Sequence, residues 1–380
     1  MSAQALPEVP HDGYIDVPGS NQAQQRGAHG LFRYFGKLAP DVTARVLDLA
    51  INEVGRSNAP VTDVMCGSGT TLLEANDLGF SAIGVDCNPV AVLYARAKTT
   101  RVDSVRVASM LDDVRHTHAR ATDAQIQELF GHVRNYERWF RQESLAALVG
   151  LRNAILAFDK SPERQLLLAV LVSRARKVSN ASDRTGRIFF DPDSASLKPV
   201  EDFVTAAQKA ISASQHFGLR SRVLEADARA LPLGDESSHI VFCHPPYFAL
   251  YRYSSDVLRF ELALGGFDSR SVAKSEVREG WKSGDPTNLD RHAEDMADVF
   301  SEARRVVRPD GVFVLVTSNS TLGDEQLPVI DRLVEKAQSQ SFDLTRHYVR
   351  RARNGSASYH RSARLDKVIN QDHVLLFIPV

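Results

Sequence analysis

The chain has 380 residues, 43% of them apolar and 24% charged, with a net charge of −1. That balance is the one expected of an ordinary soluble globular protein, long enough for one large α/β domain with an insertion or for two domains. It excludes a chain that is cationic throughout, so a nucleic-acid partner would need a local basic surface.

No run approaches the ~20 apolar residues needed to cross a bilayer, and the start lacks the basic and apolar segments of a secretory signal. A cytoplasmic protein without a membrane partner is expected. The cysteines Cys66, Cys87 and Cys243 have no CxxC spacing. That argues against a disulfide framework or a zinc site, and no other cluster has metal-ligand spacing.

Residues 1–28 are polar, rich in Gln, Pro and Gly, and read as a loose arm. Residues 40–54 place Val42, Val46, Leu49 and Ala50 on one helical face, with Gly55 as a stop. A strand (60–66), a glycine turn, a helix (71–79) and a second strand (81–86) form a β-turn-α-β unit. Residues 105–215 look mostly helical, with a polar loop at 179–199. Strands return at 221–227 and 239–243. Then come a helix (295–307), a strand (311–319), a helix (327–338) and strands at 342–349 and 373–380. The alternation implies a mostly parallel sheet covered on both faces.

The first turn reads Cys66-Gly67-Ser68-Gly69-Thr70-Thr71. Its glycines allow close approach of a ligand to the backbone. Leu72 stands where a dinucleotide fingerprint needs its third glycine, and the Gly-Lys-Ser/Thr of a phosphate loop is absent. Asp86 closes the second strand, the place where an open α/β sheet sets a carboxylate on ribose hydroxyls. A ribose-bearing ligand without a pyrophosphate suggests S-adenosylmethionine; a plain tight turn with a surface Asp is the other reading. Asp227 ends a further strand, either as an acceptor for an adenine amine or as a turn cap. His244-Pro245-Pro246-Tyr247 ends the next.

The residues Asp63-Val64-Met65-Cys66-Gly67-Ser68-Gly69-Thr70-Thr71 resemble the DPFCGSGTT-like first motif of class I S-adenosylmethionine-dependent DNA amino-methyltransferases, of the N4-cytosine or N6-adenine type. The stretch GVDCNPVAVLYARAKT, with Asp86, Cys87 and Asn88, is similar to their G-x-D-x-N-P-x-A segment. Arg33–Pro40 resembles the motif that closes over the methionine end of the cofactor, which brings in Tyr34 and Lys37. His244–Tyr247 resembles their S-P-P-Y, and RVVRPDGVFVLVTSN their fifth-strand signature. The likeness runs from about residue 29 to the C-terminus and is weak in the helical insertion.

The resemblance implies a Rossmann-like α/β fold with a mostly parallel seven-stranded sheet, helices on both faces and a helical insertion. It divides the chain into a catalytic domain, 29–104 and 216–380, and an insertion at 105–215 as the target-recognition region. It implies S-adenosylmethionine as cofactor, with Asp227 and Ala228 at the adenine. The partner is DNA with its target base flipped out, in a restriction-modification setting. N4 of cytosine stands ahead of N6 of adenine. RNA, methylated as by tRNA guanine-N2 enzymes, is the nearest rival partner, and a degenerate nucleic-acid-binding fold without turnover is a third reading. The oligomeric state is left open.

In the family the first motif residue and the first proline accept hydrogen bonds from the amine, and the aromatic stacks on the everted base. Pro245 and Tyr247 keep those roles by resemblance. His244 departs from the usual Asp, Asn or Ser. A neutral imidazole still offers one acceptor; a protonated one offers none. Cys243 reads as a small buried hydrophobe rather than a nucleophile. Nucleic-acid contacts are expected from Tyr251, Arg252 and Tyr253, from a basic stretch with Arg350, Arg351 and Arg353, and from a second with Arg174, Arg176, Lys177, Arg184 and Arg187. Each basic stretch reads equally well as a solvated surface.

Overall fold

The computed structural model describes residues 11–17, 25–182, 188–214, 221–248, 252–278, 287–322, 325–351 and 371–380. Strand β1 (Gly13–Tyr14) precedes helix α1 (Pro40–Val54). Proline opens α1, where its missing N–H costs nothing, and Gly55 N–H closes it on the Ile51 carbonyl. Strand β2 (Val61–Asp63), helix α2 (Thr70–Asp77), strand β3 (Ala82–Asp86) and helix α3 (Pro89–Thr99) follow. The Asn88 side chain caps α3 by accepting from Val90 N–H.

Five main helices come next: α4 (Ser104–Thr117), α5 (Asp123–Phe130), α6 (Gln142–Leu156), α7 (Pro162–Val172) and α8 (Pro199–Ser214). Asp103, Thr122 and Ser161 cap three of them at the N-terminus. This helical region shares its core with the sheet domain. Val90, Leu93, Tyr94 and Ala97 of α3 cluster with Val107, Phe130, Leu148, Leu167 and Phe203.

The remaining elements are β4 (Ser221–Glu225), β5 (Ser238–Cys243), α9 (Arg259–Gly265), α10 (Ser269–Ser275), α11 (Thr287–Val306), β6 (Val307–Thr317), the hairpin β7 (Ser320–Leu322) and β8 (Glu325–Leu327), α12 (Val329–Ser339), β9 (Phe342–Arg351) and β10 (Gln371–Pro379).

The main sheet has eight strands in the order β1-β9-β10-β6-β5-β2-β3-β4. From β6 to β4 all pairs are parallel, and β10 lies antiparallel to both β6 and β9. The sheet thus has one strand more than the seven expected. The extra one comes from the region read as an arm: Gly13 and Tyr14 pair with Tyr348 and Val349, and Ile15 is buried. Two paired residues are too few to raise a period in the sequence.

Alternate β5 residues face opposite layers. Val241 and Cys243 pack with Phe300 and Phe313, whereas Ile240 and Phe242 pack with Val42 and Leu72. The chain winds from β2 through β3 to β4 on one side, then resumes on the other with β5 and β6. That reversal opens a crevice beyond the carboxyl ends of β2 and β5. Because β10 is antiparallel, its first residues reach the same rim: His373 pairs with Thr317, and Asp372 with Arg350.

Candidate active site

The turn after β2 is built from the backbone. Gly67 (φ +49°) and Gly69 (φ +80°) adopt left-handed conformations that suit glycine. Asp86 straps the turn to the end of β3. Its Oδ2 accepts from Gly67 N–H and its Oδ1 from Asn88 N–H, both at 2.8 Å. Each oxygen retains a further lone pair. Burial raises the Asp86 carboxyl to about 6, against the pull of those two N–H groups.

Asp63 lies beneath the turn, 2% exposed. It accepts from Met65 N–H at 3.1 Å and from the Thr71 hydroxyl, and burial raises it to about 7. It braces the turn and has little surface for a ligand. Cys66 and Ala228 are also buried, and burial pushes the thiols of Cys66 and Cys87 up. Thr70 Oγ1, in the first turn of α2, is buried without a hydrogen-bond partner.

Lys98 was not expected here. It lies on α3 with no exposed surface, and its Nζ donates to Ser68 Oγ at 3.2 Å. Among the described residues no carboxylate pairs with it. Burial, then the Lys37 charge, lowers it to about 7. Lys37 donates to the His29 carbonyl at 2.9 Å and is lowered by burial to about 8. Two ammonium groups therefore stand behind the turn in a pocket that desolvates them.

Tyr34 forms the lid. A Cβ placed on Gly67 would come 3.2 Å from Tyr34 Cε1, so the ring lies directly over the glycine. Tyr34 stacks on Tyr253 with centroids 5.6 Å apart and planes at 16°. Tyr253 was expected to meet nucleic acid. It is instead 9% exposed and donates its hydroxyl to the Phe35 carbonyl at 3.0 Å. It is a wall of this pocket, because its ring gains more from Tyr34 and from burial than from solvent. Beside it, Glu276 accepts from Ser254 N–H at 3.1 Å and Oγ at 2.9 Å, and burial with the Asp86 charge raises it to about 7. Glu276 follows α10 and carries no motif that would have singled it out.

Asp227 meets the second of its two readings, since its Oδ1 accepts from Arg229 N–H at 2.9 Å as a turn cap. Its carboxylate is gripped by Arg229, with Nε at 2.9 Å from Oδ1 and Nη2 at 2.6 Å from Oδ2. The same guanidinium lies 3.6 Å from Asp295. The carboxylate is committed to a cation that holds it below the usual range despite burial, and an adenine amine would have to share it.

At the end of β5, Cys243 is fully buried with its thiol pushed up, as a packing residue should be. His244 follows. Burial lowers its imidazole to about 4, against a nearby Asp372 charge that raises it. Its Nε2 lies 3.2 Å from Tyr247 Oη, and Tyr247 donates to Asp372 Oδ1 at 2.8 Å. The rings of His244 and Tyr247 meet edge to face at 5.3 Å.

The basic stretches divide. Arg350 was expected at phosphate, but it is 9% exposed and paired with Asp372 at 2.5 Å. Cross-strand pairing with Asp372 turns it inward. Arg351 is exposed, and its guanidinium lies 4.7 Å over the Tyr14 ring. Arg252 lies 3.6 Å from Asp256 on the next turn. Arg176 is buried, stacked 4.8 Å over Phe35 and bonded to the Ser182 carbonyl. Lys177 pairs with Asp202 at 2.9 Å. Tyr251, Arg353, Arg184 and Arg187 lie outside the described residues. No described group of His, Cys, Asp and Glu is arranged to hold a metal.

No family model matches the chain. Over 166 residues, 42% of this chain, it is 22% identical to 36% of the type II methyltransferase M.MvaI of Kocuria varians. Over 95 residues, 25% of the chain, it is 30% identical to 17% of the type II methyltransferase M.MjaII of Methanocaldococcus jannaschii. The similarity thus spans about a third and a sixth of those relatives' own lengths. Among solved structures, TrmN from Thermus thermophilus superposes with a TM-score of 0.35 and 13% identity, over 94% of this chain and 52% of that one. A likeness at that score bears on neither activity nor substrate.

Proposed function

We propose that the chain is an S-adenosylmethionine-dependent methyltransferase acting on an exocyclic amine of a nucleobase in DNA, N4 of cytosine ahead of N6 of adenine. The observation that carries this reading is the fit of one rim to both reactants. A backbone cradle and a carboxylate with spare lone pairs follow β2 and β3, a neutral imidazole and two prolines follow β5, the parallel neighbour of β2, and a buried lysine bonded to Ser68 backs the cradle. The partial similarity to two type II methyltransferases supports it.

When bound, the cofactor supplies a sulfonium methyl group. Asp86 is placed to accept from ribose hydroxyls while it holds the turn. Lys37, half-buried, with the fully buried Lys98 behind it, meets the need of a desolvated carboxylate for a charge-assisted donor, and such an anion would relieve the two depressed ammonium groups. Tyr34 covers the glycine turn and excludes water.

An exocyclic amine is a poor nucleophile because its lone pair is delocalised into the ring. His244 and the Pro245 carbonyl serve as two acceptors for its N–H groups, favouring a tetrahedral nitrogen and stabilising the positive charge that develops. Pro245 and Pro246 lack N–H groups and fix φ, which keeps this edge free of competing donors. Tyr247 offers its ring to a base drawn out of the stack. At neutral pH His244 is uncharged, so it does not repel the developing cation.

The test is transfer of labelled methyl from S-adenosylmethionine to duplex DNA, to transfer RNA and to a no-acceptor control, followed by digestion and mass spectrometry of nucleosides. N4-methylcytosine or N6-methyladenine is expected from DNA. Label in N2-methylguanosine of RNA would move the substrate class, and label in neither polymer would overturn the proposal.

A further inference from the structure

We propose that Tyr247 and Asp372 set the tautomer of His244, so that its Nδ1 lone pair is the acceptor presented to the substrate amine, with Arg350 locking Asp372 in place. The inference rests on the methyltransferase reading of this rim and adds two positioning residues to it, Asp372 and Arg350, together with a second role for Tyr247.

The argument starts from sheet register. Because β10 runs antiparallel beside β9, Asp372 falls opposite Arg350, and Arg350 Nη1 donates to Asp372 Oδ2 at 2.5 Å. The other carboxylate oxygen, Oδ1, accepts from Tyr247 Oη at 2.8 Å. A phenol has one hydrogen to give. A carboxylate is a stronger acceptor than a neutral imidazole, so the hydrogen goes to Asp372.

The phenolic oxygen then turns a lone pair to His244 Nε2, 3.2 Å away. Two lone pairs at that distance repel, so Nε2 carries the hydrogen and donates it to Tyr247. A neutral imidazole has only one N–H, and Nδ1 is left bare. Among the described residues no group bonds Nδ1. Burial of the ring keeps it from taking a second proton near neutral pH.

This order of hydrogens matters because histidine, unlike Asp, Asn or Ser, does not always present an acceptor. The opposite tautomer would aim an N–H at an amine that itself donates. The relay from Arg350 through Asp372 and Tyr247 removes that option. It also gives a reason for the pairing of a buried Arg350 with a half-buried Asp372 at the ends of β9 and β10.

Tyr247→Phe separates the relay from stacking, since the ring stays and only the hydroxyl goes. The expected result is a kcat at least tenfold lower with the S-adenosylmethionine Kd within twofold of the parent. In a His244→Asn background, where the amide carbonyl is an acceptor in its own right, the same substitution should cost under threefold. Equal losses in both backgrounds would overturn the proposal.

Asp372→Leu should reproduce the Tyr247→Phe loss, but it strands Arg350 and can disturb folding. The tautomer is therefore read directly, by two-bond ¹H–¹⁵N spectra of the chain labelled in histidine, with His244 assigned by comparison with His244→Asn. An Nε2–H signature supports the inference, and an Nδ1–H signature in the unmutated protein sinks it. A chain that transfers no methyl at all fails the parent reading; one that transfers methyl but shows the wrong tautomer fails only this one.

Discussion

Lys98→Met is the sharpest test of the pocket behind the glycine turn. The side chains are similar in length, so the substitution removes a charge and little volume. Burial takes the ammonium from 10.5 to about 7. A lysine with a lowered folded pKa is charged in the unfolded chain and neutral in the folded one between those values. Unfolding therefore takes up a proton across that window, and the penalty grows as pH falls from 10.5 towards 7, then levels off. At pH 8 it amounts to about 3 kcal/mol, as an upper bound set by how far the site relaxes. Methionine carries no such penalty, so the free chain should gain about 2–3 kcal/mol in urea unfolding at pH 8. The same change removes a positive charge that stands behind Lys37 and favours the cofactor's carboxylate, worth about 1–3 kcal/mol at a low effective dielectric, so S-adenosylmethionine should bind about five- to a hundredfold more weakly by calorimetry. In the parent, binding at pH 8 should also take up protons, seen as a buffer-dependent enthalpy that Lys98→Met reduces to the share of Lys37, itself lowered to about 8. A variant that is less stable than its parent, or that binds the cofactor equally well, would refute the reasoning.

Asp86→Ala removes the acceptor of two backbone N–H groups as well as the ribose partner, so cofactor affinity should fall at least tenfold and stability by about 1–3 kcal/mol, measured by calorimetry and denaturation. Gly67→Ala puts a methyl 3.2 Å from Tyr34 at φ +49°; a stability loss of about 1 kcal/mol is expected, with a larger loss of cofactor binding because the lid must lift. His244 protonates only as pH drops through about 4, so its contribution to single-turnover methylation should be flat from pH 9 to 5 and vanish below that. A midpoint near 6.5 that His244→Asn removes would show that the ring is less desolvated than the structure implies.

Much of this site was legible because the motif residues are contiguous. The glycine turn, Asp86 and the His-Pro-Pro-Tyr run are each fixed by a few neighbours in the chain, and the strand ends bring them together by the ordinary rules of a parallel sheet. Lys98 leaves a weak signal: Pro89–Thr99 is apolar over most of its surface, so a lysine there has little polar face to share beyond Arg96. Arg350 and Asp372 left none. Their pairing depends on the register of two strands, which local sequence does not encode, so in sequence the arginine of a part-buried ion pair looks the same as one that meets phosphate. Tyr253 was misplaced for a related reason. An aromatic beside a basic residue suits either nucleic acid or a core, and only the position of Tyr34 decides between them.

The placement of β10 between β6 and β9 has a consequence for biosynthesis. A nascent chain paused before residue 371 holds two strand edges apart with nothing between them, and it lacks Asp372, the acceptor of the Tyr247 hydroxyl. Such an intermediate would be prone to pairing with other exposed edges. Insertion of that strand joins β6 to β9 and brings Asp372 to both Arg350 and Tyr247 in one event.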